Sequence, residues 1–204
     1  MNPIIHFETH GSVDGICLSN NDIIEWKELQ KVFIEINFLC ENNLFITMAT
    51  CYGGYIYKAI SPRERAPFWG FVGAFEEVYP YEILFNFSAF YEEFLKSLDF
   101  NKAQIALNSA NSSAVSKFKF QNTADSFQKA YSNYETKYLT ATVIEQRLNI
   151  LACQAMTYPE FSGWSIEKTK AHLKTIMVGR QKELKENMMY KFFSWDCFLD
   201  QKPK

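Results

Sequence analysis

The chain has 204 residues, 48% of them hydrophobic and 22% charged, with 21 Lys plus Arg against 23 Asp plus Glu for a net charge of −2. That composition excludes a largely disordered chain, and eight Gly with six Pro exclude collagen-like and low-complexity readings. Balanced charge argues against nucleic acid as a direct partner, because such binders normally gather a basic face. The length fits one domain, or one domain with an appendage, large enough to need no disulfide or metal staples. Cys17, Cys40, Cys51, Cys153 and Cys197 are odd in number and form no C-x-x-C pair, so neither a disulfide framework nor a metal site is expected. No signal-peptide pattern opens the sequence, and no window approaches 18 uninterrupted apolar residues. The expectation is a cytoplasmic protein without membrane contact.

In chain order, Pro3–Thr9 (PIIHFET) predicts a strand stopped by Gly11. Gly15–Ser19, the Asn20-Asn21 turn pair and Asp22–Trp26 predict a small hairpin. From Glu25 to Glu41, Leu29, Val32, Phe33, Ile36 and Leu39 or Cys40 recur at helical spacing. Leu44–Thr50 (LFITMAT) reads as a second strand, halted at Cys51-Tyr52-Gly53-Gly54. Phe68–Phe75 reads as a third, and Tyr81–Leu98 as a helix with Leu84, Phe87, Phe90, Tyr91, Phe94 and Leu95 on one side. Such alternation predicts an α/β fold with a parallel sheet, and strands that are apolar almost throughout predict cover on both faces.

The second half reads differently. Asn108–Ser113 is a polar break, and Lys117–Phe120 (KFKF) is a candidate short strand. Thr123 is placed to cap one long helix to about Met156, and Ser165 another to about Tyr190. The expected division is therefore residues 1–107 as the α/β region and 108–204 as a helical extension packed on it. Lys168, Lys170, Lys174, Arg180, Lys182 and Lys185 tint the last helix basic, but Glu167, Glu183 and Glu186 intervene, which reads as a solvated face. The apolar run Phe192–Leu199 is read as a tail docked on the chain's own core.

Of three histidines, His172 sits mid-helix among lysines and reads as solvated, and His6 reads as a packed core or edge residue. His10 stands at the C-terminal end of the first strand, where open α/β sheets form their binding crevices. Cys51 holds the equivalent place on the second strand, and strands joined by one crossover are usually neighbours. A Cys and a His emerging side by side form the minimal nucleophile–base pair. Gly11 lets the backbone approach a substrate carbonyl, and the Gly11 and Cys51 amides are candidates for an oxyanion hole. Gly53 and Gly54 are read as permitting the sharp turn after the nucleophile. The alternative stays open at this point: Cys51 as a small buried strand-end residue, and His10 as a turn residue.

The segment IIHFETHG ending at His10-Gly11, followed by FITMATCYGG around Cys51, resembles the caspase-like cysteine peptidases, most nearly the bacterial CHAT-domain proteases. The spacing of forty-one residues suits that group, as do the intervening hairpin and helix, and the likeness covers roughly residues 3–98. The resemblance implies a three-layer α/β/α fold and a cysteine endopeptidase with His10 and Cys51 as the catalytic dyad. It further implies Gly11 and Cys51 amides holding the oxyanion, no cofactor and no metal, a protein substrate, and a regulated effector role in bacterial defence or stress. Metacaspases carry an acid two residues before the nucleophile, where this chain has Ala49, so Glu76 and Glu77 become the substrate-pocket candidates. The family's His-bearing strand normally follows two others, whereas here the sequence opens on it. Pro3–Thr9 is therefore expected to be paired by a partner chain completing the sheet, or by Lys117–Phe120. A catalytically silent interaction module of the same fold is the competing expectation.

Overall fold

The computed structural model describes residues 3–110 and 116–201. The chain forms two compact units, one of Met1–Ile60 with Arg65–Ser126 and one of Ser61–Glu64 with Phe127–Lys204. In the first unit the elements run β1 (Ile4–Glu8), β2 (His10–Gly11), β3 (Gly15–Cys17), β4 (Ile23–Glu25), α1 (Trp26–Leu39), β5 (Phe45–Ala49), a 3-10 segment (Gly53–Ala59), β6 (Gly70–Ala74), α2 (Pro80–Ser97), α3 (Phe100–Ser109) and β7 (Phe118–Asn122).

It is an α/β unit. The main sheet has the order β1-β5-β6-β7, with β1, β5 and β6 parallel and β7 antiparallel to β6. β5 and β6 are buried at every residue, as central strands covered on both faces should be. On one face Phe45, Val72 and Phe118 join Phe87 and Phe90 of α2 and Ala103 and Leu107 of α3 in a continuous apolar cluster. On the other, Phe7 meets Phe33 of α1 edge-on at 5.6 Å between ring centroids. The backbone of Gly53-Gly54 lies against Gly73, where a Cβ would come 2.7 Å from the Gly54 nitrogen. A second, antiparallel sheet joins β2, β3 and β4.

Several expectations shift. The Lys117–Phe120 segment does form a strand, but it pairs with β6 at the far edge and not with β1. Among the described residues, the outer edge of β1 pairs with no strand. The buried stripe of α1 is Trp26, Leu29, Gln30, Phe33 and Asn37, while Val32 and Leu39 face solvent. On α2, Leu84 and Leu95 are likewise exposed. Residues 100–109, given no element from sequence, form α3, whose N-cap Asp99 accepts from the Asn101 and Lys102 amides. The polar break expected over 108–113 lies partly outside the described residues. With β7 in the main sheet, residues up to Ser126 belong to the first unit.

The second unit is helical, with most of α4 (Thr123–Tyr138), then α5 (Ala141–Ala155), α6 (Ile166–Gly179) and α7 (Gln181–Phe192). Each of the two long helices expected from sequence is broken once. Thr140 stops α4 and caps α5 through its hydroxyl on the Val143 amide at 3.4 Å, and Gly179-Arg180 separates α6 from α7. At the start of α4 it is Asn122 that accepts the Asp125 amide, at 2.8 Å, while the Thr123 hydroxyl bonds the carbonyls of Phe68 and Trp69. Ser165 caps α6 through the Lys168 amide. Phe192 is fully buried beside Phe127, so the aromatic tail docks at its first residue. His172 is exposed, with its ring edge against Trp164. Among the described residues no helix is long and apolar enough to cross a membrane.

His6 is a structural residue. Its Nδ1 lies 2.8 Å from the Thr47 hydroxyl and 3.0 Å from the Tyr91 hydroxyl, which are 2.8 Å from one another, tying β1 to β5 and α2. Burial holds its pKa below the ordinary 6.5, with the Glu8 carboxylate pulling the other way. The unfolded chain therefore takes up this proton first as pH falls. Stability from His6 is complete above about pH 6.5 and declines below it until the folded ring is protonated. Urea midpoints measured at about pH 7.5 and about pH 5.5 should differ by less in His6→Gln than in the wild type. An identical difference in the two proteins would remove His6 from the account.

Candidate functional site

β1 ends at Glu8, and after Thr9 the chain leaves the main sheet to begin the small one at His10. β5 ends at Ala49, register partner of Glu8, so His10 and Cys51 follow adjacent parallel strands by the same two residues. Both line one crevice of about 410 Å³. Its walls include Leu18, Ala49, Val78, Pro80 and Ile83, and among the described residues Glu8 is the only acid that lines it. The Gly11 backbone presses against the loop that carries Cys51. A Cβ there would lie inside the contact shells of the Cys51 carbonyl oxygen and the Thr50 hydroxyl. The Ser12 amide donates to Gly15 O at 2.8 Å, which by ladder alternation makes Gly11 and Ile16 the pair that exchanges no bonds. The Gly11 amide is thereby left outside the hairpin ladder.

The Cys51 thiol is half-buried and held by the loop after β6. The Val78 amide donates to its sulfur at 3.4 Å, and the thiol faces the Val78 carbonyl at 3.6 Å. Immediately after it, Tyr52 takes the left-handed conformation (φ 58°, ψ 14°), with its amide donating to Glu76 O at 3.2 Å. The sharp turn therefore falls on Tyr52 and not on Gly53 or Gly54, neither of which has a positive φ. Those glycines serve close packing. A Cβ on Gly53 would approach Met48 and Thr50, and one on Gly54 would enter the Phe75 ring. A left-handed non-glycine residue costs roughly 1–2 kcal/mol, and such strain collects at functional sites.

Glu76 and Glu77 are exposed on the loop between β6 and α2 and do not line the crevice. Their backbone carbonyls do the local work, Glu76 O accepting from Tyr52 and Glu77 O from the Lys117 ammonium. Cys17 was not singled out from sequence, yet it lines the same crevice and is the cross-strand register partner of His10. The only sequence signal for it was the hairpin itself, whose register sets Cys17 opposite His10. Among the described residues, no three His, Cys, Asp or Glu side chains converge as a metal site. Chemically, the crevice offers a thiol, an imidazole, a Gly11 amide outside the hairpin ladder, and an apolar wall along one side. No family model matches this chain, and no curated protein matches it.

Proposed function

We propose that this chain is a cysteine endopeptidase of the caspase-like group, cutting a protein substrate in the crevice between the ends of β1 and β5. The observation that carries the reading is the meeting of His10 and Cys51 in one crevice, although forty-one residues separate them. Support also comes from the left-handed residue directly after Cys51 and from the close approach of Gly11 to the Cys51 peptide. The helices on both faces of a mostly parallel sheet suit the three-layer architecture of that group.

In this reading the Cys51 sulfur, its proton passed to His10, attacks the scissile carbonyl carbon. The carbonyl oxygen takes the electron pair and is met by the Gly11 and Cys51 amides. Collapse of that intermediate expels the amine, which receives the proton from His10 and leaves an acyl-enzyme. His10 then deprotonates a water that attacks the thioester, and the thiol is regenerated. Glu8, inside the crevice, replaces Glu76 and Glu77 as the acid nearest the substrate. The unpaired edge of β1 is where a partner chain would complete the sheet. An effector role in bacterial defence or stress is the biological extension of the proposal.

A specific observation favours the second reading, a catalytically silent interaction module. Val78 alone supplies the Cys51 thiol with both a donor and an acceptor, without His10. The decisive experiment maps new N-termini after incubating the chain with an extract of unfolded proteins. The wild type should generate termini that Cys51→Ala does not, with cleavage reduced at least about a thousandfold in the variant. Identical terminus profiles for the two proteins would establish the module reading.

A further inference from the structure

The second unit contains a cavity unrelated to the crevice. It measures about 590 Å³, within the range of small-molecule sites, and is lined from four helices and the Ser61–Glu64 segment. Its floor is aliphatic: Ile144 and Leu151 from α5, Ile176 and Met177 from α6, Leu184 and Met188 from α7. Among the described residues four cations also line it, Arg63, Arg147, Arg180 and Lys191, and no Asp or Glu does. In a chain of net charge −2, that is a marked local excess of positive charge.

Arg180, one of the cations that tint the last helix basic, lines this cavity. Along α7, Leu184, Asn187, Met188 and Lys191 recur at helical spacing into the cavity, while Glu183 and Glu186 fall on other faces. Among the described residues Arg147 and Arg180 have no carboxylate partner. Lys191 has only a distant surface contact with Glu64 at 3.8 Å. Arg63 is held in place by Tyr134, its Nη2 donating to the hydroxyl at 3.0 Å and its guanidinium 4.8 Å from the ring centroid. That contact covers the nearest aromatic surface, so the cavity offers aliphatic packing and not a stacking platform for a base.

We infer that the cavity between α4, α5, α6 and α7 binds a small anionic amphiphile, an aliphatic chain bearing a carboxylate or phosphate head. The chain lies on the Ile144, Leu151, Leu184 and Met188 surface. The head is received by Arg147 and Arg180, whose forked guanidinium groups match both oxyanions. The tail supplies apolar burial and the arginines supply discrimination by charge.

Calorimetric titration of the full chain with dodecanoate, dodecyl phosphate and dodecyltrimethylammonium, each below its micelle concentration, tests this. The two anions should bind at least about tenfold more tightly than the cation, and more tightly than dodecanol or inorganic phosphate alone. The preference between the anions assigns the head group. Arg147→Gln combined with Arg180→Gln should remove the preference for anions, and Glu183→Gln should leave it intact. Circular dichroism establishes that the variants keep their helices, and both arginines are exposed, so folding should survive. Equal binding of anion and cation, no binding of either anion, or full anion affinity in the double variant would each overturn the assignment.

Discussion

Iodoacetamide at neutral pH should alkylate Cys51 about tenfold or more faster than Cys153 and Cys197, and His10→Ala should abolish the excess. Access alone predicts the reverse, because Cys153 and Cys197 are exposed and Cys51 is half-buried. An ordinary thiol, with a pKa of about 8.5, is only a few per cent thiolate at pH 7, and thiolate is the species that reacts. An imidazole that accepts the Cys51 proton turns the thiol into the reactive nucleophile, and His10 lines the same crevice as Cys51. Cys17 is the internal control that makes the test sharp. It lines the same crevice and lies opposite His10, so it shares the environment without following a parallel strand. Mass-spectrometric rates for each cysteine in the wild type and in His10→Ala decide the matter. Preferred labelling of Cys17 would move the nucleophile to β3, and uniform labelling would leave Cys51 as a structural thiol bound to Val78.

The parts of this fold legible in the sequence are those whose signal is local. β1, β5 and β6 are short apolar runs ended by glycine or polar residues, and a strand covered on both faces can look like little else. The hairpin of β3 and β4 follows from Asn20-Asn21, where Asn21 takes the positive φ (67°) such a turn requires. The phase of α1 was legible only in part: Leu29 and Phe33 are buried as expected, but two of its other buried residues are polar. Asn37 is fully enclosed, its amide nitrogen donating to Ala66 O at 2.8 Å and its oxygen accepting from the Leu44 amide at 3.0 Å. Those partners lie outside α1, so a hydrophobic count along the helix rotates the stripe towards Val32 and Leu39, which are exposed. α3 escaped for a related reason. Its apolar face is sparse, and only packing against α2 and the sheet gives Ala103 and Leu107 their burial.

The site divides along the same line. His10 and Cys51 were legible because strand ends, glycines and a single crossover constrain where they emerge. Cys17 and Val78 were not. Cys17 reaches the crevice through the β2–β3 register, and Val78 through a loop that folds back from β6. The role of the glycines was misplaced in the same way. Sequence attributes freedom of φ to Gly53 and Gly54, whereas their contacts demand absence of a side chain, and the unusual dihedral is carried by Tyr52.

Gly11→Ala should be strongly damaging for a single added methyl group, and the damage should fall on the crevice itself. The added carbon would meet the Cys51 carbonyl oxygen, which is backbone, and the hydroxyl of Thr50, which is 1% exposed. Neither is the free end of a flexible chain, so relief requires the Cys51 loop or the β2–β3 hairpin to shift. Overpacking of this kind costs typically about 1–3 kcal/mol, and displacement of a reacting group by about 1 Å costs on the order of a hundredfold in rate. The expected result is a lowered melting temperature together with loss of most of the His10-dependent excess in the alkylation rate at Cys51. Gly179→Ala, at the end of α6, is the matched control. Nothing lies within 4 Å of its Cβ position, and exchanging a helical glycine for alanine should raise stability by roughly 0.5–1 kcal/mol. Full reactivity of Cys51 in Gly11→Ala would mean that the hairpin yields freely. His10 would then not be held at the crevice by the contact between Gly11 and the Cys51 peptide.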